Sequence, residues 1–200
     1  MVVILLPQSH IIIARQIYKN IDKKLNIKLD KTQLIYGSVK PDIPLYLSGI
    51  PHFKPQSFNY ICNRIYELSL QPLSNNREFI KYLSMEIGIV THYIADYFCV
   101  PHNDRSTYKN HFFNHFTYES NLHKEYKSYI DSIDISRNLF HLDNNSLHSI
   151  KSLIDDLHDI YKSKGESFKN DVVSSIEACV LVGLHIIYNS KSNLKYSLAA

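Results

Sequence analysis

His92 and Asp96 stand four residues apart, as do His115 and Glu119. On an α-helix that spacing puts an imidazole and a carboxylate on one face, one turn apart, where both can reach the same divalent ion. His102 follows, so the segment from 92 to 102 reads H-x3-D-x5-H and offers three ligand groups over a short stretch. Histidine supplies 11 of the 200 residues, more than twice the ~2% expected, and imidazole is the commonest metal ligand. With that many histidines and 19 acids, chance alone supplies about one such pair. The two pairs therefore need company. Asp42 after Pro41, His52 after Pro51 and His10 near the start of the chain are further donors. Taken singly, each fits an ordinary turn residue or a surface histidine; their value lies in the combination.

The elements that must carry these groups read as helices. Ser9 is a candidate N-cap for a helix over 9–25, with Ile12, Ile17 and Ile21 on its apolar face. Residues 31–55 are punctuated by Gly37, Pro41, Pro44, Gly49, Pro51 and Pro55 and read as one long structured loop. A loop of that length suggests a share in a site. Helical periodicity returns over 57–70 and 76–99, with Pro101 ending the second stretch, then over 105–130, 146–163 and 166–189. No segment alternates with the period of a strand. The expected architecture is all-α: a single-domain bundle of six or seven helices over residues 1–200, without repeats or linkers.

Composition narrows the class. At 44% hydrophobic and 12% aromatic, with 5 Gly and 7 Pro, the chain has the material for a core and is not low-complexity. A formal charge of +3 does not compel a polyanionic partner. Cys62, Cys99 and Cys179 are widely spaced and form no C-x-x-C, so buried reduced thiols are expected. The apolar N-terminus has no basic residue ahead of it, which favours a cytoplasmic over a secreted protein. The longest apolar run, 178–188, is shorter than the ~18 residues that span a bilayer, so a core helix is expected and no transmembrane segment.

In chain order, His10, Asp42, His52, His92, Asp96, His102, His115 and Glu119 resemble the ligand pattern of the zinc-dependent phospholipase C family. The resemblance covers roughly residues 8–190. It is most specific in THYIADYFCVPH, residues 91–102, and HFTYE, residues 115–119. It implies an all-helical fold around two or three zinc ions, a fold and cluster shared with single-strand-specific zinc nucleases. Carried over, Asp42, His52, His92 and Asp96 would hold one ion, and His102, His115 and Glu119 a second. Asp96 would also reach towards a third with His10. In the family that third site is completed by an N-terminal tryptophan; this chain has no tryptophan, so two sites and a partial third are expected.

Such a donor set suits zinc with a coordination position open for water. Paired ions about 3.5–4 Å apart bind phosphodiester oxygens and lower the pKa of water towards neutrality. Asp42 either orients and deprotonates the attacking water or acts purely as a ligand. Choline-preferring members of the family place an aromatic residue after that aspartate and another three before the next histidine. Here those places hold Ile43 and Gly49, so a choline headgroup is not implied, although Tyr46, Phe53 or Tyr60 could substitute. Three function classes stay open. The leading one is phospholipase C-type hydrolysis of phospholipids. The others are a nuclease or other phosphoesterase acting on a substrate such as single-stranded nucleic acid, and a non-catalytic metal-stabilised binding protein. Oligomeric state is open too.

The remaining groups have plainer readings. His111 reads as support for the cluster and His123 as surface. His141, His148, His158 and His185 read as structural and Cys99 as a core thiol. Arg105 and Lys109 are helix charges able to attract phosphate.

Overall fold

The computed structural model describes residues 7–43, 49–100, 112–129 and 145–197, with the side chains of 112–116 and 191–197 outside that description. The described residues form α1 (Pro7–Leu25), α2 (Lys31–Val39), a 3-10 turn (Lys40–Asp42), α3 (Lys54–Leu70), α4 (Arg77–Tyr97), α5 (Phe112–Ser128), α6 (Leu147–Ser163) and α7 (Phe168–Ser197). The fold is all-α, with no strand among the described residues.

Local chemistry explains the helix starts. Asn76 Oδ1 accepts from the backbone N–H of Glu78 and Phe79 at the head of α4. At the head of α6, Ser146 and Ser149 cap each other reciprocally. α7 forms the axis: α1, α3, α4, α5 and α6 all pack against it. Ile17 and Ile21 of α1, Ile87 and Ile94 of α4, and Val180 and Leu184 of α7 are almost wholly withdrawn from solvent. Each such side chain contributes roughly 1.5–3 kcal/mol of burial. Within α7, Phe168–Ser190 is long and apolar enough to cross a membrane, yet 83% of its most apolar window is buried against the other helices. The burial matches a core helix.

Three expectations need correction. Residues 31–39, expected to be loop, form α2. Asp30 caps it by accepting from Gln33 N at 2.9 Å, and the helix is completed by packing against α4. Its short length and central glycine weaken the periodic signal, but that glycine is what permits the contact. A Cβ on Gly37 would stand 2.1 Å from the carbonyl oxygen of Met85, and one on Gly88 would stand 2.4 Å from that of Leu34. Two glycines, one on each helix, thus bring the backbones together. Ser9 is not a cap: it sits in the first turn of α1, which begins at Pro7, a residue suited to a helix start. Its Oγ lies 3.1 Å from Nδ1 of His123. His123 is accordingly half-buried between helices and not a surface residue. As expected from Pro101, α4 stops soon after Asp96: it ends at Tyr97, with the N–H of Phe98 turned back to Ala95 and that of Cys99 to Asp96. A proline at 101 offers no N–H to the carbonyl four residues earlier, consistent with the helix stopping there.

Candidate metal centre

The last turns of α4 carry His92 and Asp96, both buried. The close crossing of α2 over α4 delivers the chain that follows α2, so the 3-10 turn sets Asp42 against His92. His52 comes in just before α3, and His10 from the first turns of α1. Five donors from four separate stretches of sequence meet at one buried place.

Nδ1 of His92 lies 2.9 Å from the carbonyl oxygen of Ser38. A carbonyl only accepts, so Nδ1 carries the proton and Nε2 is turned towards the cluster. Around Nε2 stand Oδ1 of Asp42 at 3.2 Å, Nδ1 of His52 at 3.1 Å and Oδ2 of Asp96 at 3.5 Å. Nδ1 of His52 is 2.7 Å from Oδ2 of Asp96. The other oxygen of Asp96, Oδ1, faces Nε2 of His10 at 3.6 Å. The His10 ring stacks on that of His92 with centroids 3.9 Å apart. Asp96 thus turns one oxygen to each of two histidine groups.

These groups fit a metal. The ligand atoms of His10, His92 and Asp96 lie within 4.8 Å of one another, as do those of Asp42, His52 and His92. Ligands 2.0–2.1 Å from a tetrahedral zinc are about 3.3 Å apart, close to most of the separations above. Both carboxylate oxygens of Asp42 are buried and accept no well-aligned hydrogen bond among the described residues. A buried, underused carboxylate is costly without a cation.

The electrostatics agree. Burial pushes the Asp42 carboxyl above its ordinary pKa, while His92 and, more weakly, His52 pull it down and Asp96 adds to the rise. Burial opposes charge on the His92 ring, yet Asp96 and Asp42 outweigh it and hold its pKa above the usual imidazole value. The two carboxylates thus favour the protonated His92 ring against its burial.

Of the remaining sequence-derived candidates, His102 lies outside the described residues, and of His115 only its place on α5 is described. Glu119 on α5 is buried. The Cys99 thiol has its pKa raised first by burial and then by Asp171, Glu119 and Asp96. His111, His141, Arg105 and Lys109 also lie outside the described residues. His158 and His185 are buried in the packing and His148 is exposed, none of them at the cluster.

Sequence reasoning missed two neighbours of the cluster and one buried acid. Ser38 acts through its backbone carbonyl, for which no side-chain signal exists. Tyr93 places its ring 5.0 Å from that of His52 and 5.3 Å from that of His92. Asp171 reads as an ordinary acid in the first turn of a helix but is fully buried. Beyond Tyr93 lies a pocket of about 200 Å³, lined by Pro41, Ile50, Ile61, Ile89 and Val90 with Tyr60, Lys40, Arg64 and Glu86. Its two cations are engaged: Arg64 pairs with Glu67 at 2.7 Å and Glu86 at 2.5 Å, and Lys40 approaches Met85.

No curated protein and no solved structure matches the chain. A family profile described as zinc dependent phospholipase C matches residues 9–168. Those residues run from beside His10 to the start of α7 and include every donor of the buried cluster, so the chain belongs to the zinc dependent phospholipase C family.

Proposed function

We propose that the protein is a zinc-dependent phosphodiester hydrolase that cleaves phospholipids in the manner of a phospholipase C. The observation that carries this reading is the convergence of His10, Asp42, His52, His92 and Asp96 in one buried cluster with two overlapping donor groups. The pocket beside Tyr93, with Pro41, Ile50, Ile61, Ile89 and Val90 in its lining, supports a substrate with an apolar part such as a lipid.

Zinc bound there supplies a Lewis acid and a route to a nucleophilic water at neutral pH. The chain's own groups do the rest. Ser38 holds His92 in the tautomer that presents Nε2, and Asp96 offers its two oxygens to opposite sides. Asp42, with both oxygens buried and underused, is placed to orient the attacking water and to accept its proton. The water oxygen joins phosphorus, the bond from phosphorus to the glycerol oxygen breaks, and that oxygen takes up a proton from solvent to leave as the hydroxyl of diacylglycerol, while Asp42 gives up to solvent the proton it accepted. The product left behind is the phosphorylated headgroup. Burial of the cluster excludes bulk water, which strengthens each of these interactions.

The test pairs elemental analysis with an assay of protein purified without added metal or a histidine tag. Vesicles of neutral phospholipid, vesicles of anionic phospholipid and single-stranded DNA serve as substrates. Zinc in the protein together with diacylglycerol release supports the reading, while turnover of DNA alone replaces it with a nuclease. Asp96→Asn is expected to lose zinc and hydrolysis together; full activity at unchanged zinc content would overturn the assignment.

A further inference from the structure

We propose that the pocket beside Tyr93 is a subsite for one acyl chain of a lipid substrate. The proposal rests on the phospholipase reading of the metal centre and gives a second part of the lipid a place in the fold. Pocket and cluster share stretches of chain. In the lining, Pro41 precedes Asp42, Ile50 stands just before His52, and Tyr93 follows His92. Tyr93 is buried, and its ring centroid is 5.0 Å from that of His52 and 5.3 Å from that of His92. It therefore touches both places. In a phospholipid the acyl ester is only a few bonds from phosphorus, so a lipid whose phosphate lies at the cluster has a chain that starts near this pocket.

With the phosphate at the cluster, the pocket's occupant is either the headgroup or an acyl chain. The lining favours the chain. Ile61 of α3, Ile89 and Val90 of α4, and Ile50 supply apolar walls, which offer a polyol no hydrogen bonds. A cationic headgroup would need Glu86, the one carboxylate in the lining. Glu86 is already joined to Arg64 at 2.5 Å, and Arg64 lines the same pocket. A methylene chain leaves that pair intact. Tyr60, also in the lining, is 50% exposed, and Lys40 beside it in the lining lies over the ring of Tyr36, itself 39% exposed, at 5.8 Å. Tyrosines of this kind, apolar in body and wet at the hydroxyl, suit a boundary between lipid and water. The volume of about 200 Å³ accommodates a short run of methylenes and not a whole lipid.

The experiment varies chain length at a fixed headgroup. Zinc-treated protein is assayed on a series of soluble short-chain phosphatidylglycerols, and calorimetry follows its binding of the n-alkyl phosphates of matching length. Each added methylene is expected to raise kcat/KM and alkyl phosphate affinity about threefold to fourfold until the pocket is full, and no further. Ile89→Phe, which puts a larger side chain into the lining, is expected to bring that plateau to a shorter chain. Ile50→Phe, outside the helices, makes the same test from another wall and decides if Ile89→Phe does not fold. A flat series in the wild type, or a wild-type plateau in the folded variants, would overturn the proposal. Turnover that ignores chain length would keep the hydrolase and remove the acyl subsite. Absence of turnover, with alkyl phosphate binding that still depends on chain length and shifts in Ile89→Phe, would overturn the proposed function and leave the pocket as a hydrocarbon site.

Discussion

The Ser38 carbonyl oxygen stands 2.9 Å from Nδ1 of His92, and it can stand there only because α2 and α4 touch backbone to backbone at Gly37 and Gly88. The metal centre thus depends on two residues with no side chain. The crossing sets the tautomer of His92, and the chain leaving α2 immediately turns Asp42 onto the same ring.

Gly88→Ala tests that dependence. The added Cβ would lie 2.4 Å from the Leu34 oxygen and 2.7 Å from the Ser38 nitrogen, both backbone atoms that no rotamer change can relieve. Separating the helices is expected to cost about 1–3 kcal/mol and to carry the Ser38 carbonyl and Asp42 away from His92. Thermal unfolding with and without zinc measures both effects. A variant with wild-type stability and wild-type zinc content would show that the crossing does not build the site.

How much of this was legible varies with the range of the interaction. The periodic stripe of α4 and the four-residue spacing of His92 and Asp96 are local, so they could be read directly. α2 could not, since its nine residues are too few for a clear period and its helix is completed by the backbone contact at Gly37. The Asp30 cap was a usable signal, hidden among glycines and prolines. The approach of His10, Asp42 and His52 to His92 is a product of tertiary packing; only the resemblance to a known ligand order pointed to it. Asp171 gave no sign of burial, because an acid in a first helical turn ordinarily faces solvent and complements the helix dipole.

Asp42→Asn separates binding from folding. In metal-free protein the buried carboxylate opposes the fold, as its raised pKa records. A neutral amide of the same shape removes that penalty, so the metal-free variant is expected to be more stable than wild type by about 0.5–2 kcal/mol. Zinc should then raise its melting temperature far less than it raises that of wild type. Calorimetry of both proteins with and without zinc checks the crossover, and a metal-free variant that melts lower than wild type would refute it.

The three thiols should be silent in the native protein. Cys62, Cys99 and Cys179 are buried and free of disulfides. Burial pushes Cys62 up to about 12 and the other two well above their ordinary values. A thiol reagent at pH 8 is expected to label none of them before unfolding and all three in denaturant. Rapid labelling of Cys99 on metal removal would mean that the end of α4 opens without zinc.

Two histidines and one aspartate pull acid stability in opposite directions. Burial lowers His185 to about 4, and burial with Lys54 and Lys162 lowers His158 to about 4. The unfolded chain takes up these protons near 6.5, before the native protein does. Their contribution is therefore present above pH 6.5 and is lost as pH falls towards 4; for His185 it amounts to about 3 kcal/mol at most. Asp171 acts oppositely. Burial raises it to about 6 against the pull of Tyr118, Tyr161 and Val100, so its contribution is present below 3.8 and lost as pH rises through 6. Urea midpoints of metal-free wild type and His185→Gln between pH 7 and 4.5 are expected to converge as pH falls, the glutamine amide still being able to donate to Asn145 as His185 Nε2 does at 3.1 Å. Adding His158→Phe should flatten the decline further and leave the opposite slope of Asp171 exposed. Parallel curves for wild type and His185→Gln would mean that His185 is already protonated in the native protein, and that its bond to Asn145 is held by an imidazolium.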